Sequence, residues 1–240
     1  MNGTVLITGA NGSLALGFVQ SLLSLYPDHT LIAAVRNPSP EKDPNTAKLM
    51  DLISQYPNAS ANVHVEALDL SSLVKVRSFA NKLSSRITDG KLPRLKSVVC
   101  NAASISLGGG QKFTSDGYET TFQVSHLSHF LLVLKLLESM DVDSGRIVML
   151  GSITHYPEKP NPLYSLRTIV PTDMEDMEEL VKPGPDPASL VYDRGFQRYG
   201  IAKLANVTFA NDLNDRLKKV KSEMGERIQT LSFHFALTMS

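Results

Sequence analysis

The stretch Thr4-Val-Leu-Ile-Thr-Gly-Ala-Asn-Gly-Ser-Leu-Ala-Leu-Gly17 decides the fold of this chain. Its first four residues are apolar or β-branched, the composition of a short buried strand. They lead without a linker into glycines at positions 9, 12 and 17 and into an apolar helical pattern over 14–25. A tight turn between strand and helix aims backbone N–H groups and a helix N-terminus at one point, a cradle suited to a pyrophosphate. Glycine serves where φ must be positive, or where a phosphate comes too near for a Cβ.

Outward from this turn, short β-rich runs alternate with longer helical patterns. Strands are expected at 4–7, 31–35, 63–68, 96–100, 146–150 and 228–233, and helices at 14–25, 44–55, 73–85, 118–139 and 196–221. Ser71 or Ser72 is placed to cap the third helix. Alternation of this kind, with right-handed crossovers, predicts an α/β fold: a Rossmann-type doubly wound parallel sheet with six strands visible. All 240 residues are read as one domain. Residues 157–195 interrupt it with seven of the thirteen prolines and eight acidic against four basic side chains. Such proline density excludes a strand or long helix, so about 155–195 is read as a loop insertion. Within it, Thr172-Asp-Met-Glu175 is a capping-box pattern that predicts a short acidic helix running through Lys182.

Composition narrows the function classes. The chain carries 24 basic and 24 acidic side chains, so no surplus of positive charge points to a nucleic-acid partner. Its single cysteine, Cys100, cannot form an internal disulfide, and it reads as a small buried hydrophobe. No apolar run approaches the roughly eighteen residues of a membrane span, and the N-terminus lacks a basic leader. A cytoplasmic protein with no integral membrane segment is expected. His126 and His129 lie three apart on a predicted helix without a third ligand nearby, so they are read as packing or hydrogen-bonding groups and no metal is expected.

Taken with its context, Thr8-Gly9-Ala10-Asn11-Gly12-Ser13-Leu14-Ala15 resembles the TGxxxGxG fingerprint of short-chain dehydrogenases/reductases, in the TGAN form of retinol-dehydrogenase-like members. Ser13 stands at the second glycine of that pattern and Ala15 at the third. The resemblance implies that Gly9, Asn11, Ser13 and Leu14 contact a nicotinamide dinucleotide. At the end of the second strand, Arg36 without an acidic neighbour favours NADP(H), since an arginine pairs with the ribose 2′-phosphate. Asp69, closing the third strand, resembles the family's adenine-contacting aspartate, though a helix-start role is an equal alternative. Cys100-Asn101-Ala102-Ala103 is similar to the family's NNAG and to the protochlorophyllide-reductase form, with Asn101 bracing sheet and cofactor.

The chemistry rests on Tyr199-Gly-Ile-Ala-Lys203. Tyrosine and lysine four apart share a helix face. A free phenol titrates near 10 and needs a cation to act near neutrality, which Lys203 can supply. In the family pattern Ser152 is the serine that donates to the substrate oxygen, and Ser125 replaces the asparagine that helps hold a relay water. These residues imply oxidoreduction of a lipophilic ketone, aldehyde or alcohol, with Tyr199 giving the proton. Ser152 and Tyr199 are 47 positions apart, a distance that the insertion explains, and the insertion is expected over the substrate site. Phe235 and Ala236 stand where the family has a Pro-Gly turn, and a seventh strand is expected to be missing, leaving an edge for a second copy or a partner. Two readings of other classes stand beside this one: a nucleotide-binding protein with little catalysis, and an inactive shortened product.

Overall fold

The computed structural model describes residues 3–158, 166–224 and 232–234, with side chains for 3–158 and 166–219. Six parallel strands run β1 (Thr4–Thr8), β2 (Thr30–Val35), β3 (Val63–Ala67), β4 (Leu95–Cys100), β5 (Arg146–Met149) and β6 (Ser232–His234). Their spatial order is β3-β2-β1-β4-β5-β6. The order reverses beside β1, which pairs with both β2 and β4, so their carboxyl ends open the crevice where such sheets bind ligands.

Helices cover both faces. On one, Val5, Ile7, Leu31 and Ala33 pack against Val19 and Leu22 of α1 (Ser13–Leu25) and Leu49 of α2 (Pro44–Ser54), which leads to the one-turn α3 (Pro57–Ser60). On the other, Leu6, Val98 and Ile147 meet Phe79 and Leu83 of α4 (Leu73–Thr88) and a helix that changes pitch. That helix starts as α5 (Thr120–Phe122), widens into a π turn (Gln123–Leu127) and continues as α6 (Ser128–Leu136). Leu132 and Leu136 are fully buried there. Truncating either to alanine is expected to cost about 2–5 kcal/mol. Alternate side chains of one strand thus serve two cores, which is why β1 and β2 are apolar almost throughout.

The insertion departs from its sequence reading in two places. Its helix, α7 (Met174–Val181), is capped one residue later than the Thr172 pattern predicts: Asp173 accepts the Asp176 amide at 2.9 Å. The Asp176 carboxylate accepts the Thr172 amide and hydroxyl in return, each at 2.8 Å. The final helix, α8 (Val191–Met224), starts five residues before the expected 196, so the loop ends sooner. Gly195, the last residue of the expected loop, lies inside α8, where a Cβ would sit 2.3 Å from the Ser106 carbonyl oxygen of the loop after β4. The expected strand residues 228–231 and the Phe235-Ala236 pair fall outside the described residues.

Candidate active site

The glycine turn has the conformation its sequence requires. Gly9 has φ +62°, and a Cβ there would come within 3.0 Å of the Ala102 Cβ. Gly12 is the N-cap of α1 and supplies no side chain to it. The first amides of α1 therefore point outward without an internal acceptor, as an anion site needs. Ser13 and Leu14 are exposed in this first turn, so serine costs nothing at the second glycine position. Asn11 lines the groove and also braces the turn. Its side-chain amide donates to the Asp43 carboxylate (3.2 Å) and Thr46 hydroxyl (3.0 Å), tying the turn to the start of α2.

Asn101 braces the floor. Its side-chain amide donates to the carbonyls of Thr8 (3.0 Å) and Gly9 (3.1 Å). The backbone amides of Asn101 and Ala102 both donate to the Thr8 hydroxyl at 3.1 Å. The carboxyl ends of β1 and β4 are thereby locked together directly under the turn.

Two cavities adjoin over this floor, sharing Gly9, Asn11, Ala102 and Ala103. One, of about 310 Å³, extends to Arg36, Asp43 and Asp69. The other, of about 400 Å³, is walled by Asn101, Ser13, Leu14, Tyr199 and Lys203. Residues spread over nearly the whole chain thus line one groove. Arg36 is exposed at its far end. Asp43, which sequence reasoning overlooked, also lies there, but its carboxylate caps α2 through the amides of Asn45 (2.9 Å) and Thr46 (3.4 Å). Asp69 serves the start of α4 while lining the groove. Burial pushes its carboxyl up, but the Lys75 ammonium (2.9 Å) and the Ser71 hydroxyl and amide outweigh that and hold it below its usual range.

At the reacting end, α8 carries Tyr199 and Lys203 on one face, with the Lys203 ammonium 5.3 Å from the Tyr199 ring centre. That ammonium donates to the Leu150 carbonyl at 2.7 Å and is buried, which lowers Lys203 to about 8. Burial also raises the Tyr199 phenol above its usual range. Cys100 beneath it is pushed up to about 12 by burial and is inert.

Both serines are joined to neighbours of this pair: Ser152 follows Leu150, the acceptor of the Lys203 ammonium, by two residues, and the Ser125 carbonyl accepts from Asn206, one turn after Lys203. Ser152 is buried at the end of β5, where its hydroxyl accepts the Thr154 amide at 3.3 Å and starts a short 3-10 turn (Ile153–His155). Ser125 lies in the π turn; its hydroxyl accepts the Ser104 amide (3.0 Å) and donates to the Ser104 carbonyl (3.2 Å). Neither lines the groove cavities. Asn206, three residues after Lys203, bonds to this same turn, and its amide partners become visible only in three dimensions.

The described residues of the insertion line neither groove cavity. They dock against the flank of α8 and the turn that follows Ser152. Thr168 donates to the Thr154 carbonyl (2.7 Å), Gln197 to the Arg167 carbonyl (2.6 Å), and the Arg198 guanidinium to both Asp186 oxygens (2.7 Å). Arg198 also faces Glu119 at 3.5 Å, all three side chains being buried. Burial raises the Glu119 carboxyl.

Comparison with known proteins agrees with this geometry. A family model described as short chain dehydrogenase matches residues 3–165. The chain is 31% identical to a short-chain dehydrogenase, iccH, of Talaromyces variabilis, over 90% of this chain and 65% of that one. It is 35% identical to the chloroplastic protochlorophyllide reductase A of Oryza sativa subsp. japonica, over 63% of this chain and 37% of that one. The chain therefore spans less than two thirds of the length of these relatives. Among solved structures, an uncharacterised protein from Mycobacterium paratuberculosis superposes with a TM-score of 0.66 at 25% identity, covering 97% of this chain and 67% of that one.

Proposed function

The chain belongs to the short-chain dehydrogenase family, and from that premise we propose that it is an NADP(H)-dependent oxidoreductase interconverting a ketone or aldehyde and an alcohol on a lipophilic small molecule. The observation that carries this reading is the continuous groove from Arg36, past the open N-terminus of α1, to Tyr199 and Lys203. Its residues fit a dinucleotide: Gly9, at positive φ, lets the turn lie close against Ala102 beneath the groove, and the uncapped amides of α1 offer donors to a pyrophosphate. Arg36 would pair with a 2′-phosphate, and Asp69 borders the same cavity. When bound, the nicotinamide supplies or accepts the hydride.

The remaining work falls to the chain's own side chains. The raised Tyr199 phenol stays protonated at neutral pH, the correct state for giving a proton to a carbonyl oxygen during reduction. Lys203 is mostly charged below about 8 and lies close enough to steady the phenolate that proton donation leaves. Ser152, at the end of β5, is proposed to donate its hydroxyl hydrogen to the same substrate oxygen. Ile153 beside it and Ile105 in the loop after β4 leave apolar side chains exposed, which supports a lipophilic substrate. The full commitment of the Ser125 hydroxyl to Ser104 favours a second reading, a nucleotide-binding protein with little catalysis.

Titration with NADPH and NADH, followed by NADPH oxidation with a panel of lipophilic ketones, separates these. Tighter binding of NADPH and measurable turnover are expected. Tyr199→Phe should lower turnover by about 10³-fold while the NADPH Kd stays within about twofold. Binding without turnover would leave the second reading, and equal affinity for NADH would remove the role given to Arg36.

A further inference from the structure

Between the glycine turn and α8 runs a chain of buried polar groups whose hydrogens can each be assigned a direction from their partners. The Ser125 carbonyl can only accept, so the Asn206 amide nitrogen faces it at 3.0 Å. The Asn206 oxygen then faces His126 Nδ1 at 2.9 Å, and His126 must carry its proton there. At the other end, the Thr8 hydroxyl spends both lone pairs on the amides of Asn101 and Ala102. Its own hydrogen goes to His129 Nε2 at 2.8 Å. His129 is left with its proton on Nδ1, directed at the same Ser125 carbonyl at 3.4 Å. Both rings are neutral, because burial lowers His129 to about 3 and holds His126 below its usual range.

One carbonyl thus joins two parts of the site. Through His129 and Thr8 it is referenced to the groove floor, and through Asn206 to α8. It lies where the helix widens into a π turn, a local feature often found at functional sites. Asn206 is 1% exposed and follows Lys203 by three residues, so the two share a face one turn apart. Asn206, His126 and His129 line neither groove cavity, so they act through other residues. Apolar packing already seats the next turns of α8 through Phe209, Ala210 and Leu213. A leucine at 206 could bury as well, but it could not set the height of the helix against a single oxygen.

We propose that Asn206 is a positioning residue for Lys203: by donating to the Ser125 carbonyl of the π turn it fixes the turn of α8 that presents the Lys203 ammonium to the groove. This rests on the Tyr199–Lys203 reading above. The test is a double-mutant cycle with Asn206→Leu and Lys203→Met, read as kcat and KM separately. Asn206→Leu is expected to fold cooperatively, bind NADPH within about twofold of the parent and lose about 10- to 100-fold in kcat with little change in KM. In the Lys203→Met background the same substitution should lower kcat by less than about twofold, because the residue it acts through is gone. An equal loss in both backgrounds, or no loss in either, overturns the proposal. Asn206→Asp, which keeps the shape but loses the donor while ionised, replaces the leucine variant if that does not fold. If the parent chain turns over no substrate, the functional reading fails first, and the lysine itself still answers. Lys203 followed by NMR of ¹³Cε-labelled lysine should titrate near 8 in the parent and move toward the free-lysine value in Asn206→Leu. An unchanged titration overturns the positioning role without reference to activity.

Discussion

At the groove floor, Thr8, Asn101, Ser125 and His129 exchange hydrogen bonds with backbone groups that belong to strand ends or the turn of a helix. The insertion before α8 is held in another way. Side chains of α8 and the loop after β4 reach across to its carbonyls, and one buried cation, Arg198, draws in Asp186 with Glu119 nearby. The floor is anchored to elements that cannot move without opening the sheet. The insertion is anchored by charge at a single place, with Arg198 Nε and Nη2 left without hydrogen-bond partners. A buried charge cluster of this kind is costly to break and adds little when intact, whereas backbone-directed bonds at strand ends are satisfied locally.

Four outcomes would break or sharpen this contrast. Arg198→Met strands two buried carboxylates and should cost about 3–5 kcal/mol. Limited proteolysis should then cut within 166–190, while NADPH affinity stays within about twofold; an equal loss of affinity would mean that the two regions are not separate. Acid should loosen the floor through His129. Its native value of about 3 lies below the ordinary 6.5, so between those pH values the unfolded chain binds a proton that the native chain refuses. Stability therefore falls as pH drops through this window, by on the order of 3–5 kcal/mol when complete. Urea unfolding at pH 7, 5 and 4 should show a smaller loss in His129→Gln, and parallel losses would sink the assignment. Gly9→Ala, which puts a Cβ at positive φ against Ala102, should cost about 1–3 kcal/mol and weaken NADPH binding, with the proteolysis pattern of 166–190 unchanged. The smallest change is expected from Met174→Ala on α7, 81% exposed, at under about 0.5 kcal/mol by thermal melting.

The floor was far more legible in the sequence than the insertion. Gly9 and Asn101 each follow the last residue of a strand, where backbone geometry dictates position, and Tyr199 and Lys203 are paired by the four-residue spacing that puts them on one helix face. That the Asn11 amide also bonds to Asp43 and Thr46 was hidden, because these partners lie more than thirty positions away. The bonds of the Ser125 hydroxyl to Ser104 were hidden too, because they depend on how the loop after β4 crosses the π turn. The π turn has no mark in a helix-period pattern. The fit of Gly195 against Ser106 was hidden as well, because it lies in the backbone of another loop.

By itself, then, the sequence determined the parallel sheet, the order of its strands' contributions to the groove and the pair Tyr199–Lys203, since hydrophobic period and glycine placement act over a few neighbouring residues. Only the tertiary structure decided how those pieces are registered: that one carbonyl at Ser125 serves both His129 and Asn206, that burial raises the Tyr199 phenol, and that the insertion lies beside α8 with Arg198 as its anchor. Hydrogen-bond direction and desolvation depend on which distant groups come within about 3 Å, and no local pattern along the chain encodes that distance.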